Sequence, residues 1–396
     1  MKKDIRASFN AQFTEEKYQD LQNKIQEECN NQVSFRISET PLFVPKNLTD
    51  KLIQAGDEIL EVLQRPSFMQ ESERAIPDDV RVMNETDHPH FICLDFGICE
   101  DEKGELEPQL IELQAFASMF CWMDQLSKSH TEYFPIPDGY SPYFNGLNHH
   151  SYLDLLKRTL IGDCPIEEVI LLEILPEEQN TRVDFYLTHK NFGIEVVCLS
   201  KLKQEGKSLY YLKDGKRQSV KRIYNRLIFD DLQSQSDFKY SIDLFGDLDV
   251  EWITHPNWFY RISKFTMPFL ENKFVPETKF LNSIETLPSD LENYVLKPLF
   301  SFSGTGVVID VTEDEINMVH DPENWILQRK VKYTDALLSL VGGVKCEIRL
   351  MYLWPSADSK PTLSMSLGRL SRGKMIGVKY NKDLSWVGST SCFFEQ

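Results

Sequence analysis

Residues 294–310 read Tyr294-Val295-Leu296-Lys297-Pro298-Leu299-Phe300-Ser301-Phe302-Ser303-Gly304-Thr305-Gly306-Val307-Val308-Ile309-Asp310. A short apolar strand delivers Lys297, a loop of small residues turns, and a β-branched strand returns. A lysine at a strand end can neutralise a phosphate as a point charge. The Ser303-Gly304-Thr305-Gly306 loop lets backbone N–H groups approach phosphate oxygens with little Cβ interference. Its spacing is neither that of a P-loop nor that of a dinucleotide fingerprint. Lys-Pro followed by a Ser/Gly turn also reads as an ordinary hairpin, so the surrounding sequence has to decide.

The chain of 396 residues has room for two or three domains, and its 41% apolar and 26% charged content are those of a globular protein. No apolar run approaches the length of a membrane span, and the opening Met1-Lys2-Lys3-Asp4 lacks the apolar core of a signal peptide. The eight cysteines are scattered, with no Cys-x-x-Cys pair. They read as buried free thiols of a cytoplasmic protein rather than as zinc ligands or a disulfide framework. A net charge of −18 argues against broad nucleic-acid binding, which needs an electropositive face. Any anion site must be a locally basic pocket in an acidic protein.

Taken in order, Thr14-Glu15-Glu16-Lys17 reads as the start of a peripheral helix, and Pro45–Gln64 as an amphipathic one. Phe91–Phe96 and Gln109–Gln114 form a strand pair that places Asp95, Glu112 and Gln114 inside apolar segments. Alternation puts Glu112 and Gln114 on one face. A helix is expected over Ala115–Leu126 and another over 151–161. From Glu168 the pattern alternates βα: strands at Val169–Ile174 and Gly193–Leu199 flank a helix at Asn180–Asn191, and a hairpin and the strand Val220–Tyr224 follow. This is a Rossmann-like layer. Arg226 lies just past its last strand, where open α/β sheets place ligand groups. A helix over Trp258–Leu270 carries Lys264. Strands follow at Trp325–Val331, Val344–Trp354, with Glu347 and Arg349 on one face, and Leu363–Leu370, with Arg369. The adjacent His149 and His150 point in different directions and form no catalytic pattern.

Together, residues 258–396 resemble an ATP-grasp domain. The resemblance is carried by Lys264 ahead of Phe274-Val275-Pro276, by Lys297 before the small-residue lid, and by Leu327-Gln328-Arg329-Lys330-Val331. It continues with Glu347-Ile348-Arg349, Arg369, and Asn381 ahead of Gly388. Such domains end in a strand pair closing on an acid and an amide, and here that pair stands near the N-terminus as Leu94-Asp95-Phe96 and Glu112-Leu113-Gln114, followed by Ala117-Ser118. The order resembles the circular permutation of eukaryotic-type glutathione synthetases and glutathionylspermidine-synthetase-like proteins.

The resemblance implies an α/β (α+β grasp) ATP-grasp fold. Its parts would be an N-terminal helical region (1–87), the permuted end of the grasp domain (88–165), a Rossmann-like pre-ATP-grasp substrate domain (166–257) and the nucleotide-binding part (258–396). It implies ATP and Mg2+ as cofactors. Lys264, Lys297 and Ser303, Gly304, Thr305 and Gly306 would meet the phosphates, and Gln328, Arg329, Lys330 and Val331 the adenine. Glu112, Gln114, Glu347 and Asn381 would offer oxygens to magnesium. Arg349 and Arg369 would stabilise charge in the reaction, and Arg226 and Ser118 would contact substrate. The activity implied is ligation of a small-molecule carboxylate to an amine, with no nucleic-acid or membrane partner. A small-molecule kinase and a non-catalytic nucleotide-binding protein are the alternatives. The chain departs from the family in having Gln114 where an Asn is usual, in lacking an acid just after Lys297-Pro298, and in a closing pair reduced to Gly388-Ser389. Glutathione is therefore not carried over as the product.

Overall fold

The computed structural model describes residues 2–300, 306–373, 376 and 381–396. At its centre is a six-stranded sheet in which Gly388–Thr390, Thr362–Ser371, Gly342–Leu353, Phe91–Glu100 and Leu106–Gln114 lie side by side, with Leu337–Ser339 pairing the start of Gly342–Leu353. All its pairings are antiparallel. A hairpin from the first third of the chain is thus hydrogen-bonded to one from the last third. Arg349 stands opposite Asp95, Glu347 opposite both Gly97 and Arg369, and Asp95 opposite Glu112.

One face of this sheet is core. The helix Lys46–Leu63 buries Leu48, Leu52, Ala55, Ile59, Leu60 and Leu63, as its apolar stripe predicts. Gly56 lets it approach closely: a Cβ there would lie 2.0 Å from Tyr352 Oη and 3.4 Å from a Leu350 methyl. Leu350 and Tyr352 belong to the face opposite Glu347 and Arg349, so the charged residues are turned the other way. A bulge refines this on the outer strand. Asp95 pairs with Glu112 but Phe96 pairs with Leu110, leaving Ile111 as an extra residue. Leu110 and Leu113 consequently go to the core, while Glu112 and Gln114 share the charged face.

Beside it lies a four-stranded parallel sheet, ordered Glu251–Ile253, Arg222–Asn225, Val169–Glu173, Glu195–Cys198. The expected strand Val220–Tyr224 is divided at Lys221: Lys216–Val220 belongs to a separate three-stranded antiparallel sheet with Lys203–Glu205 and Ser208–Lys213. A further antiparallel sheet, Thr278–Phe280, Trp325–Arg329 and Tyr294–Pro298, carries Lys297. The chain is therefore a mixed α/β protein with several sheets. The N-terminal segment forms two helices, Lys3–Gln12 and Glu15–Glu28, the second capped by Thr14 accepting from the Lys17 N–H.

Three expected elements differ. The helix after the hairpin spans Phe120–Tyr133, because Met119 takes a left-handed conformation (φ 67°) and Asp184 accepts the Trp122 N–H at 2.9 Å to open the helix there. The helix expected over Trp258–Leu270 is split into Asn257–Arg261 and a 3-10 segment, Lys264–Phe269, with Ser263 capping and Pro268 inside. The returning strand after the small-residue loop reduces to a bridge between Val308 and Leu296. Among the described residues no helix is long and apolar enough to cross a membrane.

Candidate active site

The charged face of the central sheet is met by Lys297 and Lys264. Lys297 sits on Tyr294–Pro298, buried, and its Nζ donates to the Ile111 carbonyl at 3.1 Å and to Gln328 Oε1 at 2.5 Å. The bulge makes the first contact possible, since Ile111 is the residue left out of the strand ladder. Burial lowers the Lys297 pKa to about 8, a fall that Glu112 and Glu347 oppose and Lys264 reinforces. Lys264 is also buried. Burial lowers its pKa, against the pull of Glu112 and Asp230.

Asp95 is the hub of the face. It accepts from Arg349 through Nε at 2.5 Å and Nη2 at 2.7 Å, and from Arg369 Nη2 at 2.5 Å. Burial pulls its carboxyl up, but Arg349 and Arg369 pull it further down, below the ordinary carboxylate range. Arg369 also pairs with Glu347 through Nη1 at 3.3 Å, and Tyr333 donates its hydroxyl to the other Glu347 oxygen at 2.5 Å. The glycine opposite Glu347 admits the tyrosine: a Cβ on Gly97 would lie 2.7 Å from the Tyr333 ring. Burial raises the Glu347 pKa, with Arg369 and Tyr333 opposing and Asp95 and Glu112 adding to the rise. The result is one chain of contacts, Arg349–Asp95–Arg369–Glu347–Tyr333.

Glu112, Lys264, Lys297, Glu347, Arg349 and Arg369 are thus brought together, and Gln114 shares the face of Glu112. Gln328 is buried against Lys297, and its Nε2 is buried without a hydrogen-bond partner among the described residues. Arg329 is turned outward to Tyr294 Oη at 3.0 Å and Asp290 at 3.3 Å, nearly half exposed, so its side chain lies away from this cluster. Lys330 directs Nζ to the Glu292 carbonyl at 2.5 Å, and its backbone N–H to that of Asn293 at 2.7 Å; Val331 is half-buried. Gly306 has φ +76° and packs against Pro298, 3.0 Å from where a Cβ would be, closing the turn that follows Lys297. Ser303, Gly304 and Thr305 lie outside the described residues.

Asn381 uses its Oδ1 to accept from the Ser371 hydroxyl at 3.0 Å and from the Arg372 and Gly373 N–H groups at 3.1 and 3.0 Å. Of the four oxygen donors expected for magnesium, Asn381 is therefore committed to a turn and Glu347 to Tyr333 and Arg369. Glu112 and Gln114, both half-buried, make no side-chain hydrogen bond among the described residues. No group of three or more His, Cys, Asp or Glu able to hold a metal ion occurs among the described residues. A cation seated on Glu347 would also face the Arg369 guanidinium on the same carboxylate. The donor set as folded does not fit a magnesium ion without displacing these partners.

Arg226 occupies a second polar centre, at the carboxyl end of the parallel sheet. It is buried, with its guanidinium carbon 5.0 and 5.4 Å from the ring centres of Phe116 and Phe185. Nη2 reaches Thr181 Oγ1 at 3.4 Å, while Nε and Nη1 are buried with no hydrogen-bond partner among the described residues. Burial raises the Glu173 pKa to about 8, Arg226 opposing. Asp184 is buried too, with Oδ2 unpartnered. Ser118 lies half-buried in the same loop as Phe116. Asp95, visible as an acid inside an apolar run, had no role from sequence alone. Tyr333, Glu173 and Asp184 gave no signal at all.

Two hairpins distant in sequence, joined in one antiparallel sheet beside a parallel one, are the architecture on which these centres stand. No protein-family model and no curated protein matches the chain. Among solved structures, the chain is similar to a glutathione synthetase-like effector from Globodera pallida in its apo form, with a TM-score of 0.57 and 13% identity over 95% of this chain and 96% of that one. At that identity the likeness is one of fold.

Proposed function

We propose that the protein is an ATP-dependent carboxylate–amine ligase on an ATP-grasp scaffold, with the Phe91–Gln114 hairpin in permuted order and 166–257 as its substrate domain. The observation that supports it is the meeting of Lys297 with the bulged hairpin beside Glu112, Glu347 and Arg369. This unites a phosphate-type lysine with the acids of a distant strand pair. Lys264 and Lys297 would bind the nucleotide phosphates, and Gln328 with the backbone of Arg329–Val331 the adenine. Arg226 would hold a substrate carboxylate, with Ser118 beside it.

A carboxylate oxygen of the substrate attacks the γ-phosphorus, the bond to the β-phosphate oxygen breaks, and ADP leaves an acyl phosphate. An amine then adds to the acyl carbon, and phosphate departs as the amine gives up a proton. Arg369, partly open to the cleft, opposes the charge that develops. Arg349 acts through Asp95, as a positioning residue. No step is routed through magnesium, because two of the four expected donors, Glu347 and Asn381, are engaged elsewhere. The compartment proposed is the cytoplasm, in keeping with eight free thiols.

That engagement of donors also favours a second reading, a nucleotide-binding protein without turnover. ATP consumption measured against a panel of carboxylates and amines separates the two. ADP with free phosphate and a joined product supports ligation, a phosphorylated acceptor indicates a kinase, and no consumption with retained binding indicates a binder. Lys297→Ala is expected to abolish turnover; wild-type rates in that variant would remove the lysine from the site.

A further inference from the structure

The arrangement around Glu347 goes further than the ligase reading, and rests on its assignment of this face as a nucleotide site. Four cationic side chains (Lys264, Lys297, Arg349 and Arg369) share the face with three carboxylates (Asp95, Glu112 and Glu347). Their formal sum is +4 − 3 = +1. Two of the three acids, Asp95 and Glu347, do not stand open to a cation, and Glu112 alone does not make a metal site. Asp95 carries three arginine hydrogen bonds, and each Glu347 oxygen has its own donor. Arg349 is sealed in, whereas the Arg369 side chain is 34% exposed while bonded to both Asp95 and Glu347. A guanidinium held in this way keeps its outward N–H groups fixed toward the cleft, which suits it to phosphate oxygens.

We propose that this cleft binds a nucleoside polyphosphate without a divalent cation, Arg369 presenting at Glu347 the positive charge that a metal would otherwise carry. Asp95 and Glu347 hold the guanidinium in place, and Tyr333 closes the remaining Glu347 oxygen against a competing ion. The statement concerns nucleotide binding; turnover is a separate measurement. A guanidinium orients oxygens through directed N–H groups, so charge and hydrogen bonding are supplied by one fixed side chain.

The test is titration calorimetry of the full chain with ATP, once in excess EDTA and once in millimolar magnesium chloride. The expected result is an affinity that differs by less than about threefold between the two conditions. Arg369→Gln should weaken binding in EDTA by about tenfold or more and, by freeing a Glu347 oxygen, make magnesium improve it. Arg369→Lys, which keeps the charge, should remain indifferent to metal. A merely structural arginine would weaken both conditions alike and leave their ratio unchanged, which would overturn the proposal. Wild-type binding seen only with magnesium would also overturn it, while leaving the ligase reading intact. Binding in neither condition would remove the nucleotide assignment and this inference together.

Discussion

Two buried charge centres lie in this molecule, and they are built on opposite plans. Both oxygens of Asp95 and both of Glu347 have an arginine or tyrosine donor within the fold, so these two acids are paired without a ligand. Around Arg226 the guanidinium lies near two aromatic rings, with Nε, Nη1 and the Asp184 Oδ2 unpartnered among the described residues. Burying a charged group without hydrogen bonds is costly. The proposed substrate carboxylate would supply the Arg226 centre with the partners it lacks, whereas the Asp95 centre is held by partners within the fold. The first region resembles a finished joint and the second a socket.

The largest effect should separate them by stability. Asp95→Ala strands two arginines in a buried place and should cost ~5 kcal/mol, the scale of breaking a buried pair by removing one partner. Arg226→Met removes one long hydrogen bond together with the charge that offsets the buried Glu173 and Asp184 carboxyls, and should cost about 2 kcal/mol, less than the Asp95 variant. Denaturant unfolding of both variants checks this; equal losses would break the distinction. The same Arg226→Met variant should lose substrate binding in the ATP-consumption assay, a loss that its stability would not account for.

Next in size is a pH effect. Glu173, beside Arg226, has its folded pKa raised to about 8 from an ordinary 4.5. Between those values the folded chain keeps a proton that the unfolded chain has released, so stability falls as pH rises through the window and levels off above it. The full difference is on the order of 5 kcal/mol. Glu173→Gln, neutral at all pH, should flatten that slope, most visibly between pH 5 and about 8. Lys297 acts in a different window: its folded pKa is lowered to about 8 from 10.5, so stability rises with pH between those values. A slope unchanged in Glu173→Gln would mean that the carboxyl is already ionised, and the Arg226 centre better paired than its hydrogen bonds indicate.

Sequence showed the frame of the first centre and little of the second. Apolar runs located the strands of the central sheet, and alternation put Glu112 with Gln114 and Glu347 with Arg349. It could not show the bulge at Ile111, since an extra residue leaves composition untouched, yet the bulge supplies the carbonyl that Lys297 binds. Alternation along Trp325–Arg329 would have sent Gln328 inward and Arg329 outward, as found; the resemblance treated the stretch as one unit. The helix expected over Trp258–Leu270 missed the break at Ile262–Ser263 and the proline, Pro268, inside the segment that holds Lys264. Tyr333 left no local trace, because its place depends on Gly97 of another strand making room for the ring. Glu173 and Asp184 carried no signal in the sequence, because their burial depends on the parallel sheet and the segments packed over it.

The smallest effect sharpens the comparison within the finished joint. Tyr333→Phe removes one hydroxyl from Glu347 and leaves the ring packed over Gly97, so it should cost about 1–2 kcal/mol, the usual price of leaving one buried acceptor short of a donor. Glu347 then keeps Arg369 as its remaining partner, and its carboxyl should titrate higher still, since Tyr333 now opposes the rise caused by burial. Carbon-13 labelling of the glutamate carboxyls, followed by NMR through a pH titration, reads this directly. An upward shift with a small stability loss would mark Tyr333 as a member of the contact chain. No shift and no loss of stability would instead make the ring, which the variant keeps, its only contribution, and leave Arg369 as the donor on which Glu347 depends.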